Sequence, residues 1–200
     1  YRSIARALQD NVGNSLVIHL QNGTYQGVDI PFNPVPRPSL TIQGCASLGP
    51  NEANITPGPS GAAIFLQPSV ATAGQIRSLV LRNLNCDGDG VTPAVWVVNA
   101  TGSPPNAFLD SPNGLWIENC FLNGNGADSL FVDRAGKLCL LNNQYNGIVQ
   151  MGQCGGGYAV NNEHLSGSWL IFFDPTATGP LAGAQPFRFK GCDLDMLVMA

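Results

Sequence analysis

The chain has 200 residues, a formal net charge of −4 and charged residues at only 11% of positions, with 24 glycines and 15 prolines. This length suits one domain, which we expect to span residues 1–200. The weakly acidic composition argues against nucleic acid as a partner. Because no apolar run approaches the roughly 20 residues of a membrane-spanning helix, membrane insertion is not expected.

The first element is predicted to be a short helix over residues 2–10. Ile4, Ala7 and Leu8 recur at helical spacing and form one apolar face. The residues that follow, from 15 to 32, contain alternating apolar residues and predict the first strands. We expect the helix to cover the open end of these strands, whose edges would otherwise be exposed.

A ten-residue pattern then recurs along the chain, and its clearest copy runs from Leu115 to Gly124. Positions one and three are large and apolar, position five is asparagine or glycine, and position ten is glycine in every copy except the last. The copies start at Leu40, Leu79, Leu115, Leu138, Tyr158 and Phe187. Because the apolar residues alternate with period two, each copy predicts short strands separated by a corner.

Asparagine and glycine suit the corner because they tolerate the left-handed backbone conformation that strains other residues. Side-chain amides at such a corner also hydrogen-bond from one coil to the next. We expect a ladder near one corner formed by Asn83, Asn119, Asn142 and Asn162. A second strand column is predicted between the copies, with strands that start at Val95, Leu130 and Leu170. Repeats of this kind predict a parallel β-helix with coils about 4.8 Å apart.

The six cysteines have two interpretations, disulfides in an oxidising compartment or packing in the core. Cys45, Cys120 and Cys192 all fall at position six of the repeat, where Leu84 lies in another copy. Packing in the core is therefore favoured. If these three cysteines share a column, their Cα atoms are about 9.6 Å or more apart and they cannot bond to one another.

Two of the copies, Leu115–Cys120 and Leu138–Asn143, resemble the strand-and-corner sequences of the pectin-lyase-like superfamily. So does the opening of the chain, where a helix precedes a strand that runs into Gly23–Tyr25. The resemblance implies an all-β, right-handed parallel β-helix with a short N-terminal capping helix. It implies no single activity, because the superfamily includes lyases, hydrolases, esterases, adhesins and viral spikes.

The esterases of the superfamily use two aspartates and an arginine, and the nearest match is Asp133, Asp174 and Arg134. If the two aspartates share a column two coils apart, they are separated by about 9.6 Å, at the outer limit for an inverting pair. Because aspartate favours corners, two residues that bond backbone amides at strand ends are the preferred interpretation.

The lyases of the superfamily bind calcium through clustered carboxylates, and Asp87 and Asp89 are the nearest approach to such a site. Their glycine spacing suits a turn, and a calcium ion would need further oxygen ligands from elsewhere. We therefore expect no metal and no cofactor, with calcium required only if the chain is a lyase. Arg82 and Glu118 lie at outward positions of successive copies and predict a surface ion pair.

Sequons for N-linked glycosylation begin at Asn22, Asn54 and Asn99. Together with the low charge and the predicted fold, they favour a location outside the cell or on the surface of a cell or particle. Trp96 and Trp116 are candidate ligand-binding residues, because exposed aromatic rings stack on sugars. Trp169 suits either the surface or the core.

We expect a non-catalytic extracellular β-helix that serves as a structural or glycan-contacting module of a surface assembly. The alternative is a polysaccharide lyase or glycoside hydrolase whose site lies only partly in this chain. The apolar run at residues 196–200 has no capping helix after it, so we expect further sequence or another subunit to cover that end. A polysaccharide is the other expected partner.

Overall fold

The structure is a computed structural model, and it describes eleven stretches of the chain. These are residues 3–11, 13–30, 39–45, 53–66, 76, 78–98, 114–133, 137–152, 157–172, 187–192 and 197–199. Arg134, Asp174 and Asn99 lie outside the described residues. Among the described helices, none is long and apolar enough to cross a membrane.

One helix, α1 (Ile4–Asp10), precedes all the described strands. The strands, in chain order, are β1 (Leu16–Leu20), β2 (Gly23–Gln26), β3 (Val28–Ile30), β4 (Leu40–Gly44), β5 (Ala53–Thr56), β6 (Ile64–Leu66), β7 (Leu79–Arg82), β8 (Leu84–Asp87), β9 (Val95–Val97), β10 (Leu115–Glu118), β11 (Phe121–Asn123), β12 (Leu130–Asp133), β13 (Leu138–Leu141), β14 (Gln144–Asn146), β15 (Val149–Gly152), β16 (Gly157–Val160), β17 (Glu163–Ser166), β18 (Trp169–Phe172), β19 (Phe187–Lys190) and β20 (Leu197–Met199). Most are three or four residues long, so each crosses only one side of a coil.

The strands form three sheets, and neighbouring strands within a sheet are three strands apart in the chain, except β18 and β20, which are two apart. Sheet A has the order β1-β4-β7-β10-β13-β16-β19, sheet B has β2-β5-β8-β11-β14-β17, and sheet C has β3-β6-β9-β12-β15-β18-β20. The strand pairs in the described residues are parallel. The chain is therefore an all-β parallel β-helix, as the repeat predicts.

The core lies inside the coils and consists of side chains that alternate inward along each strand. In β10, for example, Leu115 and Ile117 are fully buried while the residues between and after them are half-buried. At the N-terminal end, Ile4, Ala7 and Leu8 of α1 are buried against the first coil, with the helix packed on β3 and β1. Ser3 is the N-cap of α1, and its hydroxyl oxygen accepts a hydrogen bond from the backbone N–H of Arg6.

The predicted register is wrong by one residue in two places. Leu138 lies opposite Gly157, so the fifth copy of the repeat starts at Gly157 and not at Tyr158. The inward position is glycine here because a Cβ would collide with the carbonyl of Leu138, and the residue has φ +152°. In sheet C, Val149 lies opposite Trp169, so the strand column starts there and not at Leu170.

The cysteine prediction is correct for Cys120 and wrong for Cys45. Cys120 is buried in the core, whereas Cys192 is half-buried and Cys45 is exposed. The first copy differs because β4 extends through Gly44, so the chain does not turn at position five as it does at Asn119. Cys120 and Cys192 are free thiols and are not bonded to each other.

Candidate functional site

The asparagines at position five lie at the corner between sheets A and B. Asn83, Asn119, Asn142 and Asn161 all have φ between 51° and 53°. The Asn119 amide donates to the Asn83 carboxamide oxygen at 3.3 Å, and the Asn161 amide donates to that of Asn142 at 3.2 Å. Asn161 therefore takes the corner position that the sequence assigned to Asn162, because the fifth copy starts one residue earlier.

Asn162 instead points into the core, where it pairs with Asn143. Both side chains are at most 2% exposed. The Asn162 carboxamide oxygen accepts from the backbone N–H and the side-chain amide of Asn143, at 3.1 and 3.0 Å. It also accepts from the Tyr145 hydroxyl at 3.2 Å. The sequence did not indicate this buried amide pair, because position six is apolar or cysteine in the earlier copies.

The amide pair also satisfies buried backbone groups of neighbouring coils. The Asn143 amide donates to the carbonyl of Ile117 at 3.0 Å, and its oxygen accepts from the backbone N–H of Cys120 at 3.0 Å. The Asn162 amide donates to the carbonyl of Leu140 at 2.9 Å. Buried polar groups of this kind cost energy unless they are paired, so the pair has a structural role.

A cluster of charged and aromatic side chains occupies the outer face of sheet A, and we call it the sheet A cluster. It consists of Arg82, Trp116, Glu118, Cys139 and Tyr158, which come from four successive strands. The guanidinium Nε of Arg82 lies 2.8 Å from Glu118 Oε2 in an ion pair, and this oxygen accepts a hydrogen bond from the Trp116 indole N–H at 3.0 Å. Arg82 also lies over the Trp116 ring, 5.7 Å from its centroid.

The aromatic members of the cluster cover a thiol on the outer face. Trp116 and Tyr158 flank Cys139 in the column, with ring centroids 6.4 Å apart in an edge-to-face arrangement. Cys139 is fully buried beneath them although it faces away from the core. This burial raises the pKa of the Cys139 thiol, which is hydrogen-bonded to Tyr158. Arg82 covers one side of the Trp116 indole, and Tyr158 lies close to the same ring. Together they limit the indole surface on which a sugar can stack.

We expect the thiols to separate into two reactivity classes. Burial raises the pKa of Cys86, Cys120 and Cys139, in the case of Cys120 to about 12. A thiol is reactive only as the thiolate, so these three should resist iodoacetamide in the folded protein, while Cys45 and Cys192 react. Labelling followed by peptide mass spectrometry measures each site.

The cover over Cys139 is tested by two variants. Tyr158→Ala removes the ring and should make Cys139 react as fast as Cys192. Tyr158→Phe keeps the ring, so it should leave Cys139 protected. Equal labelling of Cys139 in both variants would contradict the arrangement described for the sheet A cluster.

Trp96 lies in an aromatic column on the outer face of sheet C. It is half-buried and stacks on Phe65 of the preceding coil, with ring centroids 4.6 Å apart and planes at 28°. Phe131 occupies the same outward position one coil further on. Trp169, by contrast, is fully buried in the core, with edge-to-face contacts to Tyr145 at 5.7 Å and Phe189 at 5.0 Å.

The outer face of sheet B carries a column of hydrogen-bonded polar side chains, which we call the sheet B strip. Its members are Asp87, Asn123, Asn146 and Ser166. The Asn123 amide donates to Asp87 Oδ1 at 2.9 Å, the Asn146 amide donates to Asn123 Oδ1 at 2.9 Å, and the Ser166 hydroxyl donates to Asn146. A bulge at Leu165, which is 56% exposed, places Ser166 opposite Asn146.

The aspartates proposed for calcium have separate roles. Asp87 belongs to the sheet B strip, whereas Asp89 Oδ1 accepts from the backbone N–H groups of Val91 and Thr92 at 2.9 and 2.8 Å and from the Thr92 hydroxyl. These hydrogen bonds lower the pKa of Asp89, with the Thr92 backbone the largest cause. Across the described residues, no group of three or more His, Cys, Asp or Glu side chains is placed to hold a metal ion.

Of the candidate carboxylate pair, the structure describes only Asp133. Asp133 ends β12 opposite Gly152, and Gly152 lies opposite Phe172 in the next coil. The residue two coils from Asp133 is therefore Phe172, two positions before Asp174; Asp174 and Arg134 themselves lie outside the described residues. Burial raises the pKa of Asp128, a carboxyl that the sequence did not single out, and no second carboxylate contributes to that shift.

The described sequons differ in how accessible they are. Asn22 is exposed between β1 and β2. Asn54 lies within β5, where its carboxamide oxygen accepts from the Asn85 amide at 2.7 Å, and the Thr56 hydroxyl donates to the carbonyl of Tyr25 at 3.2 Å. The sequon at Asn54 is thus held in the sheet, while the one at Asn22 is open.

Comparisons with known proteins found no relative from which a role can be transferred. No family model matches the chain, and no significant match was found among curated proteins or solved structures.

Proposed function

We propose that this chain is a non-catalytic module of an extracellular or surface assembly, with a structural or glycan-contacting role. We further propose that its coils are right-handed and of the pectin-lyase-like kind, on the strength of the sequence resemblance. The observation that carries the functional proposal is the sheet B strip. It offers a row of amide, carboxylate and hydroxyl groups, joined by hydrogen bonds, on the outer face of sheet B.

The dimensions of the strip suit an extended polymer. Its four members lie on successive coils and therefore span about 14 Å at the usual strand spacing. The neighbouring outward column contains Asn54 and Asn85 and then Gln144 and Glu163, but Phe121 separates these two polar pairs. The Gln144 amide donates to Glu163 at 3.1 Å. Amide and carboxylate groups at fixed spacing are good partners for sugar hydroxyls, because amides both donate and accept hydrogen bonds and carboxylates accept them.

The carboxylates of the described outer faces favour a non-catalytic role. Hydrolysis of a glycosidic bond by the usual route needs two carboxyl groups that flank the bond, one of them protonated. Glu118 is paired with Arg82 and Trp116, and Asp87 accepts from Asn123. Each of these two carboxylates is therefore already engaged by a neighbouring side chain of its own sheet.

We expect the chain to bind a neutral or acidic polysaccharide through the strip. Asn123→Ala and Asn146→Ala should each weaken binding by about fivefold, the value of one hydrogen bond of about 1 kcal/mol. Affinity electrophoresis against a polysaccharide panel measures the effect. Gln150→Ala is the matched control, because it removes a half-buried amide from the outer face of sheet C.

Two outcomes would contradict parts of the proposal. The first is equal binding by the Asn123, Asn146 and Gln150 variants, which would contradict the glycan-contacting role of the strip and leave only the structural role. The second is turnover of any polysaccharide, followed as reducing ends or unsaturated uronates with and without calcium. If that turnover disappears in both Asp133→Asn and Asp174→Asn, the chain is a lyase or hydrolase instead.

A further inference from the structure

A cleft of about 370 Å³ lies at the N-terminal end of the β-helix, between α1 and the first coil. Its walls are Ser3 and Ala7 of the helix side, Tyr25 of β2, and every residue from 16 to 21. The volume lies within the range of ligand-binding pockets. The cleft belongs to neither the sheet A cluster nor the sheet B strip, so it calls for a separate explanation.

The cleft follows the edge of β1. Ile18 and Leu20 point into the core and are buried, whereas Val17 and His19 point outward and are exposed. Residues on both faces of a strand line one cleft only when the cleft runs along the edge that the two faces share. Five residues of extended chain give it a length of about 16 Å.

The backbone groups at this edge face the cleft. The N–H of Leu16 donates to the carbonyl of Ser39 at 3.0 Å, so Leu16 directs its backbone groups toward β4. Because these directions alternate along a strand, Ile18 shares that direction, while Val17 and His19 direct theirs away from β4. β1 is the end strand of sheet A, and no described strand pairs with its other edge.

We propose that this cleft binds an extended peptide segment of a partner protein, which adds to β1 as a further parallel strand of sheet A. The edge presents donors and acceptors every second residue, a repeat of about 6.6 Å that a peptide backbone matches. The added strand continues the parallel pairing that runs through all of sheet A. This inference goes beyond the proposed function, because it concerns a different surface and a protein partner.

The walls define the side chains of the segment. Alternate residues of the added strand face α1, where Ala7 is only 1% exposed and leaves little room, so these residues are the smallest ones, alanine or glycine. The residues between them extend the outward column of Val17 and His19, where polar side chains reach solvent. The segment is therefore an alternation of small apolar and polar residues, about five positions long.

The probe is a capped fluorescent peptide that copies residues 15–22 with alanine in place of its inward leucine and isoleucine residues. Fluorescence anisotropy should show binding to the wild-type protein. Val17→Pro removes the backbone N–H that faces the cleft and leaves the bonds to β4 intact, as proline is tolerated at free strand edges. It should weaken binding at least tenfold, whereas Val17→Thr, which keeps the N–H, should change it less than twofold.

A second pair of probes needs no variant protein. The same peptide is N-methylated at alternate residues, in two versions that block opposite edges. One version should lose binding and the other should keep it, because only one edge of the peptide faces β1. Amide exchange adds a third readout, in which Val17 and His19 become protected when the peptide binds while Ile18 is protected throughout.

The inference is overturned if the probe does not bind at 1 mM, if both N-methylated versions bind equally, or if folded Val17→Pro protein binds as well as Val17→Thr. Loss of polysaccharide binding in the strip variants does not affect this result, so the two proposals fail independently.

Discussion

Replacing Asn143 by leucine is expected to lower the free energy of unfolding by about 3 kcal/mol, near the upper end for one substitution. Leucine has similar bulk but cannot satisfy the carbonyl of Ile117 or the backbone N–H of Cys120, both bonded to Asn143 at 3.0 Å. It also removes the side-chain amide that donates to the Asn162 oxygen, while the backbone N–H of residue 143 remains as a donor. Urea denaturation followed by circular dichroism measures the change as a shift in midpoint.

The neighbouring residue provides the control. Asn142 is exposed at the corner and has φ 52°, a conformation that glycine adopts without strain. Asn142→Gly should therefore change stability by less than about 1 kcal/mol. If the Asn142 and Asn143 variants lose the same stability, the buried amide pair has no special role and the register in β13 is wrong.

Replacing Gly157 by alanine is expected to cost about 4 kcal/mol, the size of effect that only a few mechanisms produce. Gly157 has φ +152°, and an added Cβ would collide with the backbone carbonyl of Leu138 in the preceding coil. The backbone cannot move away without breaking the pairing of β13 with β16. The expected result is a lower urea concentration at the unfolding midpoint than in the wild type, or no soluble protein.

A Gly126→Ala variant measures the backbone strain without the steric collision, so it serves as the control for Gly157→Ala. Gly126 also has a positive φ, +110°, but the nearest atom to an added Cβ is 3.9 Å away. Gly126→Ala should therefore cost only the strain of the backbone, about 1 to 2 kcal/mol. A Gly157→Ala variant no less stable than Gly126→Ala would show that β13 and β16 are not in the register described.

The sequence predicts the fold because two local signals recur at every coil. Alternation of apolar residues identifies the inward side of each strand, and asparagine at position five identifies the corner, as at Asn119. The prediction was wrong by one residue where an inward position is glycine. A pattern that requires a large apolar residue there selects Tyr158, although Gly157 occupies the position and Tyr158 faces outward.

The outward sites were harder to predict, because they depend on neighbours from other coils. Trp116 and Tyr158 come from strands separated by β13, and they contact only because the register places Cys139 between them. A one-residue error moves Tyr158 into the core and hides the cluster. The sheet B strip also depends on the bulge at Leu165, which no local sequence signal indicates.

The direction of the hydrogen bonds has a mechanical consequence. All the described sheets are parallel and stack coil upon coil, so their interstrand bonds lie along the axis of the helix. A pulling force along that axis loads the bonds of one coil at a time and peels the structure open in small steps. A force across the axis loads several strands together in shear and meets much greater resistance. The mechanical strength of the protein therefore depends on the side from which it is held.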